Sequence, residues 1–163
     1  MAVALAAGLS GMAARLSADH LADATGPAER ADRLRRRVAP LAQEDATAYG
    51  RVLAAYRNQD DGTPGIRQER IRAALSGATD VPLAIAETGT EVAEVAARLA
   101  RGGNPNLRGD AAALLAKAGV PAAAVLVEIN TMSGETSDDR VERVGQCVVR
   151  AASAAGGIAE DDR

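Results

Sequence analysis

Apolar residues recur along this chain at spacings of three and four over most of its length, the period of helices laid against a core. From Ala2 to Ala24 they occupy almost every side, with Val3, Leu5, Leu9, Met12, Leu16 and Leu21 standing among alanines and glycines. A helix apolar all round belongs at the centre of a bundle, where small residues let neighbours approach its backbone. Gly26-Pro27 ends it and opens a second helix, with the proline early, where its missing N–H costs nothing. That second helix is predicted over 28–56, kinked at Pro40, with Leu34, Val38, Leu41, Asp45, Tyr49, Val52 and Tyr56 facing inward. The segment N-Q-D-D-G-T-P-G at 58–65 reads as a loop. A third helix follows from Ile66, with Ile71 and Leu75 inward, a bend at Val81-Pro82, and Leu83, Ile85, Val92, Val95 and Leu99 beyond it. Thr90 and Glu94 are too polar for that stripe and are expected to face water.

The loop 102–109 leads into an apolar helix from Asp110, which stands where an N-cap belongs. Gly119-Val120-Pro121 marks a kink or brief break before the apolar run 122–129, whose alanine content favours helix over strand. A last helix from about Thr136 carries Val141, Val144, Val148 and Val149 on one side and stops at Gly156-Gly157. The acidic end, 158–163, is expected to fray, leaving one domain over 1–157. No repeat of solenoid length is visible.

Composition sharpens this pattern into a class. Hydrophobic residues make up 47% of 163, only 1% are aromatic, and 39 are alanine. Few large β-favouring side chains and a surplus of the best helix former predict an all-α, single-domain bundle with long kinked helices. A net charge of −3 and the lack of aromatic platforms argue against nucleic acid as a partner. A lone Cys147 reads as a small buried hydrophobe and fits a reducing cytoplasm. No apolar run reaches the ~18 residues of a membrane span, so no membrane partner is expected. The apolar start has no Lys or Arg before it and reads as a buried helix, not a leader.

Inventory then removes several chemistries. One His and one Cys, 127 positions apart, do not form a zinc or iron site, and no metal is expected. Neither a Walker loop nor a dinucleotide fingerprint is present. Ser10 between Gly8 and Gly11 lies inside a helix with no strand before it, unlike a nucleophile elbow. His20 reads as a cation near a helix C-terminus or as a general base. The run Arg33, Arg35, Arg36 and Arg37 reads as a solvated face or as an anion pocket. Asp45 on an apolar stripe would lose water on folding, which a buried hydrogen bond or a functional proton transfer could each justify. Asp110 caps its helix, alone or as one wall of a ligand site in which Asn104, Asn106 and Arg108 gather beside a helix N-terminus.

At these residues the chain resembles the formiminotransferase-cyclodeaminase and methenyltetrahydrofolate cyclohydrolase family. E-D-A-T-A-Y at 44–49 looks like the family's D-x-x-A-F/Y, followed in register by V-L-A-A-Y at 52–56. Val81-Pro82-Leu83 looks like its V-P-L, Gly103-Asn104 to Asp110 like its G-N-x-x-x-x-S-D, and Ile129-Asn130 like the end of its N-V-x-I-N. The resemblance implies an all-helical homodimer that binds a tetrahydrofolate derivative as substrate near the subunit interface, with no metal or prosthetic group. It implies that Asp45 is the catalytic carboxylate, and that Tyr49, Arg57, Asn104, Asn106, Arg108, Asp110 and Asn130 bind substrate. Two reactions fit a carboxylate that moves protons: ring closure with ammonia loss, and water addition to a methenyl carbon. A same-fold enzyme for another small molecule and a non-catalytic helical dimer or accessory subunit are the other readings.

The departures are local. The glycine-rich turn that precedes the family's first helix has no counterpart after Met1, and Ser17-Ala18-Asp19-His20 stands where the family is lysine-rich. Arg57-Asn58-Gln59-Asp60 replaces a K/R-L-P-K, and Leu126 replaces the first asparagine of N-V-x-I-N. Fewer cations imply weak recognition of an anionic polyglutamate tail.

Overall fold

The structure, a computed structural model, describes residues 2–57, 64–107, 110–134 and 138–159. Six α-helices lie among them: α1 (Ala2–Arg15), α2 (Thr25–Val38), α3 (Leu41–Arg57), α4 (Pro64–Gly102), α5 (Asp110–Ser133) and α6 (Asp139–Ala159). A single 3-10 turn covers Pro105–Leu107, and the described residues contain no strand. The all-α expectation holds.

The central element is α4, whose 39 residues reach about 60 Å at the helical rise. On one side α2 and α3 run antiparallel to it in succession. Arg37 pairs with Glu87 and Arg30 with Glu91, while Ala48, Val52 and Ala55 of α3 cluster with Ile71, Leu75 and Ala78. On the other side α5 returns antiparallel, from Ala112 and Ala113 against Ala96 to Asn130 against Ala78. Both α1 and α6 run parallel to α4. Val3 of α1 meets α4 and α5 at a pair of glycines: an added Cβ would stand 2.7 Å from Val120 Cγ2 at Gly89 and 2.7 Å from Val3 Cγ2 at Gly119. The three helices approach too closely there for a side chain on either glycine.

Several expectations from the apolar pattern are corrected. The stretch 2–24 is not one central helix: α1 ends at Arg15, and Leu5, Met12 and Leu16 remain exposed. The chain turns because the Ser17 hydroxyl donates to the Ala13 carbonyl at 2.8 Å and the Ser17 carbonyl accepts from the His20 and Leu21 N–H groups. His20 therefore lies in an exposed turn beyond the helix. Pro40 separates two helices instead of kinking one, since it has no N–H to continue the ladder, and its own carbonyl accepts from Gln43 and Glu44 to start α3. The bend expected at Val81-Pro82 and the kink or brief break expected at Gly119-Val120-Pro121 do not end a helix; both prolines lie inside continuous helices. Gly156-Gly157 does not stop α6, which runs to Ala159, and residues 160–163 of the expected frayed tail lie outside the described residues.

Burial departs from the pattern as well. Thr90, expected to face water, is fully buried; its hydroxyl oxygen lies 2.9 Å from the Ala86 carbonyl oxygen and 3.1 Å from that of Cys147, so the polar group is satisfied in the core. Glu94 does reach the surface, where it pairs with Arg150 and Arg30. On α6 the buried stripe is Val144, Cys147, Ala151 and Ala155, leaving Val141 and Val149 exposed. Against the expectation that no apolar run is long enough for a membrane span, the stretch Pro105–Ser133 is long and apolar enough by length and composition. Its inner positions, Ala113, Ala116, Val120, Ala123 and Val127, are buried within the bundle.

The start of α6 is fastened by Arg140. Its largely buried guanidinium bonds the Asp138 carboxylate, the Asp80 carboxylate at 2.7 Å and the Ser76 carbonyl at 2.7 Å. The side-chain hydrogen bond from Arg140, opposed by partial burial, holds the Asp138 carboxyl below its ordinary value of 3.8. A carboxyl depressed on folding stabilises the fold above its unfolded pKa, and that contribution disappears as pH falls through the folded value. Asp138→Asn is therefore expected to flatten the loss of stability below about pH 4, as read from urea midpoints across an acid series.

Candidate functional site

In α3 the buried positions are Leu41, Ala48, Val52 and Ala55. At the helical turn angle Asp45 lies roughly 50° from the centre of that stripe, and Tyr49 and Tyr56 farther still. Asp45 is accordingly half-buried, while Tyr49 is 60% and Tyr56 44% exposed. The inward stripe predicted from the sequence is thus rotated. Ala48, Val52 and Ala55 pack in the cluster with α4, and the bulkier tyrosines are left at its edge. The premise that Asp45 is stripped of water within one chain is corrected with it. What α3 presents outward is a carboxylate, both of the protein's tyrosines and, at its last residue, the exposed Arg57. Tyr56, expected in the core, is a further candidate; its signal in the sequence is its place seven positions beyond Tyr49 as the other aromatic residue.

The second group of expected site residues lies elsewhere. Asn104 follows the end of α4, where its N–H donates to Ser17 Oγ at 2.8 Å, its Nδ2 donates to the Leu16 carbonyl at 3.2 Å, and its Oδ1 accepts from the Asn106 N–H at 2.9 Å. The side-chain amide thereby ties the loop to the turn after α1. Gly103 beside it has no room for a Cβ, which would stand 2.5 Å from the Leu99 carbonyl oxygen and 2.8 Å from Ser17 Oγ. The Gly-Asn pair therefore has a structural task, whatever else it does. Asn106 is exposed. Arg108 and the side chain of Asp110 lie outside the described residues; α5 opens at Asp110, where its sequence places the helix start.

Asn130 is half-buried on α5 and donates from Nδ2 to the Ala78 carbonyl at 3.2 Å. With Ala48, Val52 and Ala55 clustered with Ile71, Leu75 and Ala78 on the antiparallel α4, the Asp45 end of α3 is directed toward the middle of α4. Asn104 lies past the C-terminal end of α4, on the order of 30 Å along its axis from there. One chain brings Asp45 and Asn130 to the same stretch of α4 and leaves the Asn104 loop remote.

Other polar features form structure of their own. Glu87, Glu91 and Glu94 on α4 bridge Arg30 and Arg37 of α2 to Arg143 and Arg150 of α6, so part of the arginine-rich face is a surface ion-pair lattice. Arg33 pairs within its own helix with Glu29. A cavity of about 340 Å³ opens among Arg30, Arg33, Arg37 and Glu91, two of them from the run read as a solvated face or an anion pocket, and one of about 330 Å³ near Arg15, Thr25 and Asp32; neither is lined by Asp45 or by a residue expected to bind folate. Among the described residues no three His, Cys, Asp or Glu side chains gather to hold a metal ion.

These features define an all-helical protein built on one long central helix, with a carboxylate and two tyrosines on an outer helix. The chain belongs to the formiminotransferase-cyclodeaminase family, whose model matches residues 1–147. It is 37% identical over 107 residues to a methenyltetrahydrofolate cyclohydrolase of Methylorubrum extorquens, a match covering 63% of this chain and 51% of that protein. The chain thus spans about half the length of the curated relative it matches. Its fold is that of the formiminotetrahydrofolate cyclodeaminase of Thermotoga maritima, with a TM-score of 0.74 at 24% identity over 97% of this chain and 85% of that one.

Proposed function

We propose that this protein hydrolyses a methenyl one-carbon unit carried on tetrahydrofolate, with Asp45 as the proton-transfer group. The observation that carries the choice of hydrolysis over ammonia loss is the 37% identity to a protein named as a methenyltetrahydrofolate cyclohydrolase. The chemistry suits a half-buried carboxylate. The methenyl carbon is an amidinium between two nitrogens and is already electrophilic, so the reaction asks for a base and for no prosthetic group. Asp45 takes a proton from water as the water oxygen bonds to that carbon. It then returns that proton to the nitrogen whose bond to the carbon breaks, while the hydroxyl of the adduct gives its remaining proton to solvent as the C=O forms, leaving a formyl group on the other nitrogen and one proton released overall. Its negative charge also stabilises the cationic centre it faces.

Tyr49, one turn beyond Asp45, offers its ring and hydroxyl to the substrate, and Arg57 its charge. For Asn104, Asn106, Arg108 and Asp110 to serve the same substrate, their loop must come from a second copy, because within one chain the Asn104 end of α4 is remote from Asp45. A homodimer is therefore part of this reading. Its interface would be the outer face of α1 and α5, where Leu5, Met12, Leu16, Val125, Ile129 and Met132 are exposed.

The test is turnover of monoglutamyl methenyltetrahydrofolate, followed as loss of the methenyl chromophore above the buffer rate, beside an ammonia assay with formiminotetrahydrofolate. Hydrolysis without ammonia release is expected. Ammonia release alone would make the protein a cyclodeaminase, and activity with neither would end the folate reading.

A further inference from the structure

A proline inside a helix has no N–H for the carbonyl four residues before it. In α4 that proline is Pro82, and the carbonyl left without a helical donor belongs to Ala78. Water has little access to repair the loss, since Ala78 is 5% exposed and Pro82 is fully buried. A buried carbonyl left unpaired is costly. The structure supplies a donor from another helix: Asn130 Nδ2 lies 3.2 Å from the Ala78 oxygen. The second in-helix proline provides a contrast. Pro121 frees the carbonyl of Lys117, and both residues are exposed, so water can serve that oxygen.

Ala78 also belongs to the cluster that seats α3, packing with Ala48 and Val52, and Ala48 lies one turn beyond Asp45. A line of contact therefore runs from the Asn130 amide on α5, through the Ala78 peptide on α4, to the turn of α3 that carries Asp45.

We propose that Asn130 is a positioning residue: its side-chain amide replaces the hydrogen bond that Pro82 removes, and so holds the segment of α4 on which the Asp45 turn rests. The link to Asp45 rests on the proposed function; the link to Pro82 stands without it. This assigns Asn130 a role other than direct contact with substrate, and it makes the Val-Pro-Leu and Ile-Asn motifs one unit in space.

The experiment is a double-mutant cycle of Asn130→Ala and Pro82→Ala, read by thermal unfolding and by steady-state turnover of methenyltetrahydrofolate. Asn130→Ala alone is expected to lower Tm by about 3–8 °C. In the Pro82→Ala background the same change should cost little, because the N–H introduced at position 82 takes over the Ala78 carbonyl. Turnover should follow the same pattern, with kcat about ten- to a hundredfold lower in Asn130→Ala, KM unchanged, and kcat restored in the double variant. Equal losses of Tm in both backgrounds would overturn the pairing with Pro82. A raised KM that Pro82→Ala does not correct would place Asn130 against the substrate and overturn the positioning role. If Asn130→Ala does not fold, a double variant that folds supports the pairing and one that does not overturns it. If the native protein turns over no folate, the proposed function fails while the Tm cycle still decides the pairing.

Discussion

Asp45→Asn is expected to lower kcat for methenyltetrahydrofolate hydrolysis by about two to four orders of magnitude while the helical fold persists. The amide keeps the shape of the carboxylate and loses the base, so water must be deprotonated by solvent and the departing nitrogen receives no proton from position 45. The position of Asp45 makes the variant informative. It is half-buried at the edge of the α3 stripe, with Ala48 and Val52 making the helix contact in its place, so the exchange removes no core packing. Stability should therefore change by no more than about 0.5 kcal/mol, as for ordinary surface substitutions. Measurement of kcat at saturating substrate, beside a urea titration, separates the two effects. A variant with native kcat would remove Asp45 from the chemistry, and one that loses both fold and turnover would show that the carboxylate holds structure instead.

Val125→Glu is expected to convert the proposed dimer into a folded monomer and to abolish turnover with it. Val125 stands on the outer face of α5 with Leu126, Ile129 and Met132, all exposed in the single chain, and the outer face of α1 adds Leu5, Met12 and Leu16. Exposed apolar side chains gathered in this way are what the proposed interface would bury. A carboxylate forced into its centre would have to lose water without a partner, at a cost of several kcal/mol. That weakens association by about a hundredfold or more. Because Val125 points away from α4, the variant should keep its helical circular dichroism. Sedimentation velocity at micromolar concentration checks the mass, and activity measured in parallel checks whether the site needs both copies. A Val125→Glu protein that remains dimeric would move the interface elsewhere, and a fully active monomer would show that the Asn104 loop of a second copy is not needed.

Helical class is legible because patterning at three and four is a local property, and 39 alanines with so few aromatics leave strands little to be built from. A helix start is legible where a proline acts on its own helix, as at Pro27 in the first turn of α2, whereas Pro40 reads as a kink although it separates α2 from α3. Pro82, which reads as a bend, and Pro121, which reads as a kink or brief break, both stand inside continuous helices; what lets a helix continue through a proline is a donor from a neighbour or access to water, and neither is written near the proline. Thr90 is misplaced in the same way, since the Cys147 carbonyl that helps to satisfy it comes from a helix 57 residues on.

The site divides along the same line. Residue type and local spacing are enough to put Asp45 and Tyr49 on one helix, to set the Gly103-Asn104 loop before another, and to leave few other residues able to carry chemistry. How far each side chain sits from water and from the others came only with the packing. Packing turned α3 so that alanines, not tyrosines, meet α4; it engaged the Asn104 amide with the end of α1; and it set Asn130 beside the carbonyl that Pro82 leaves open. Those outcomes depend on which helix lies alongside which, and at what register, and a single helix's sequence carries its own periodicity but not the groups that its neighbours will bring against it.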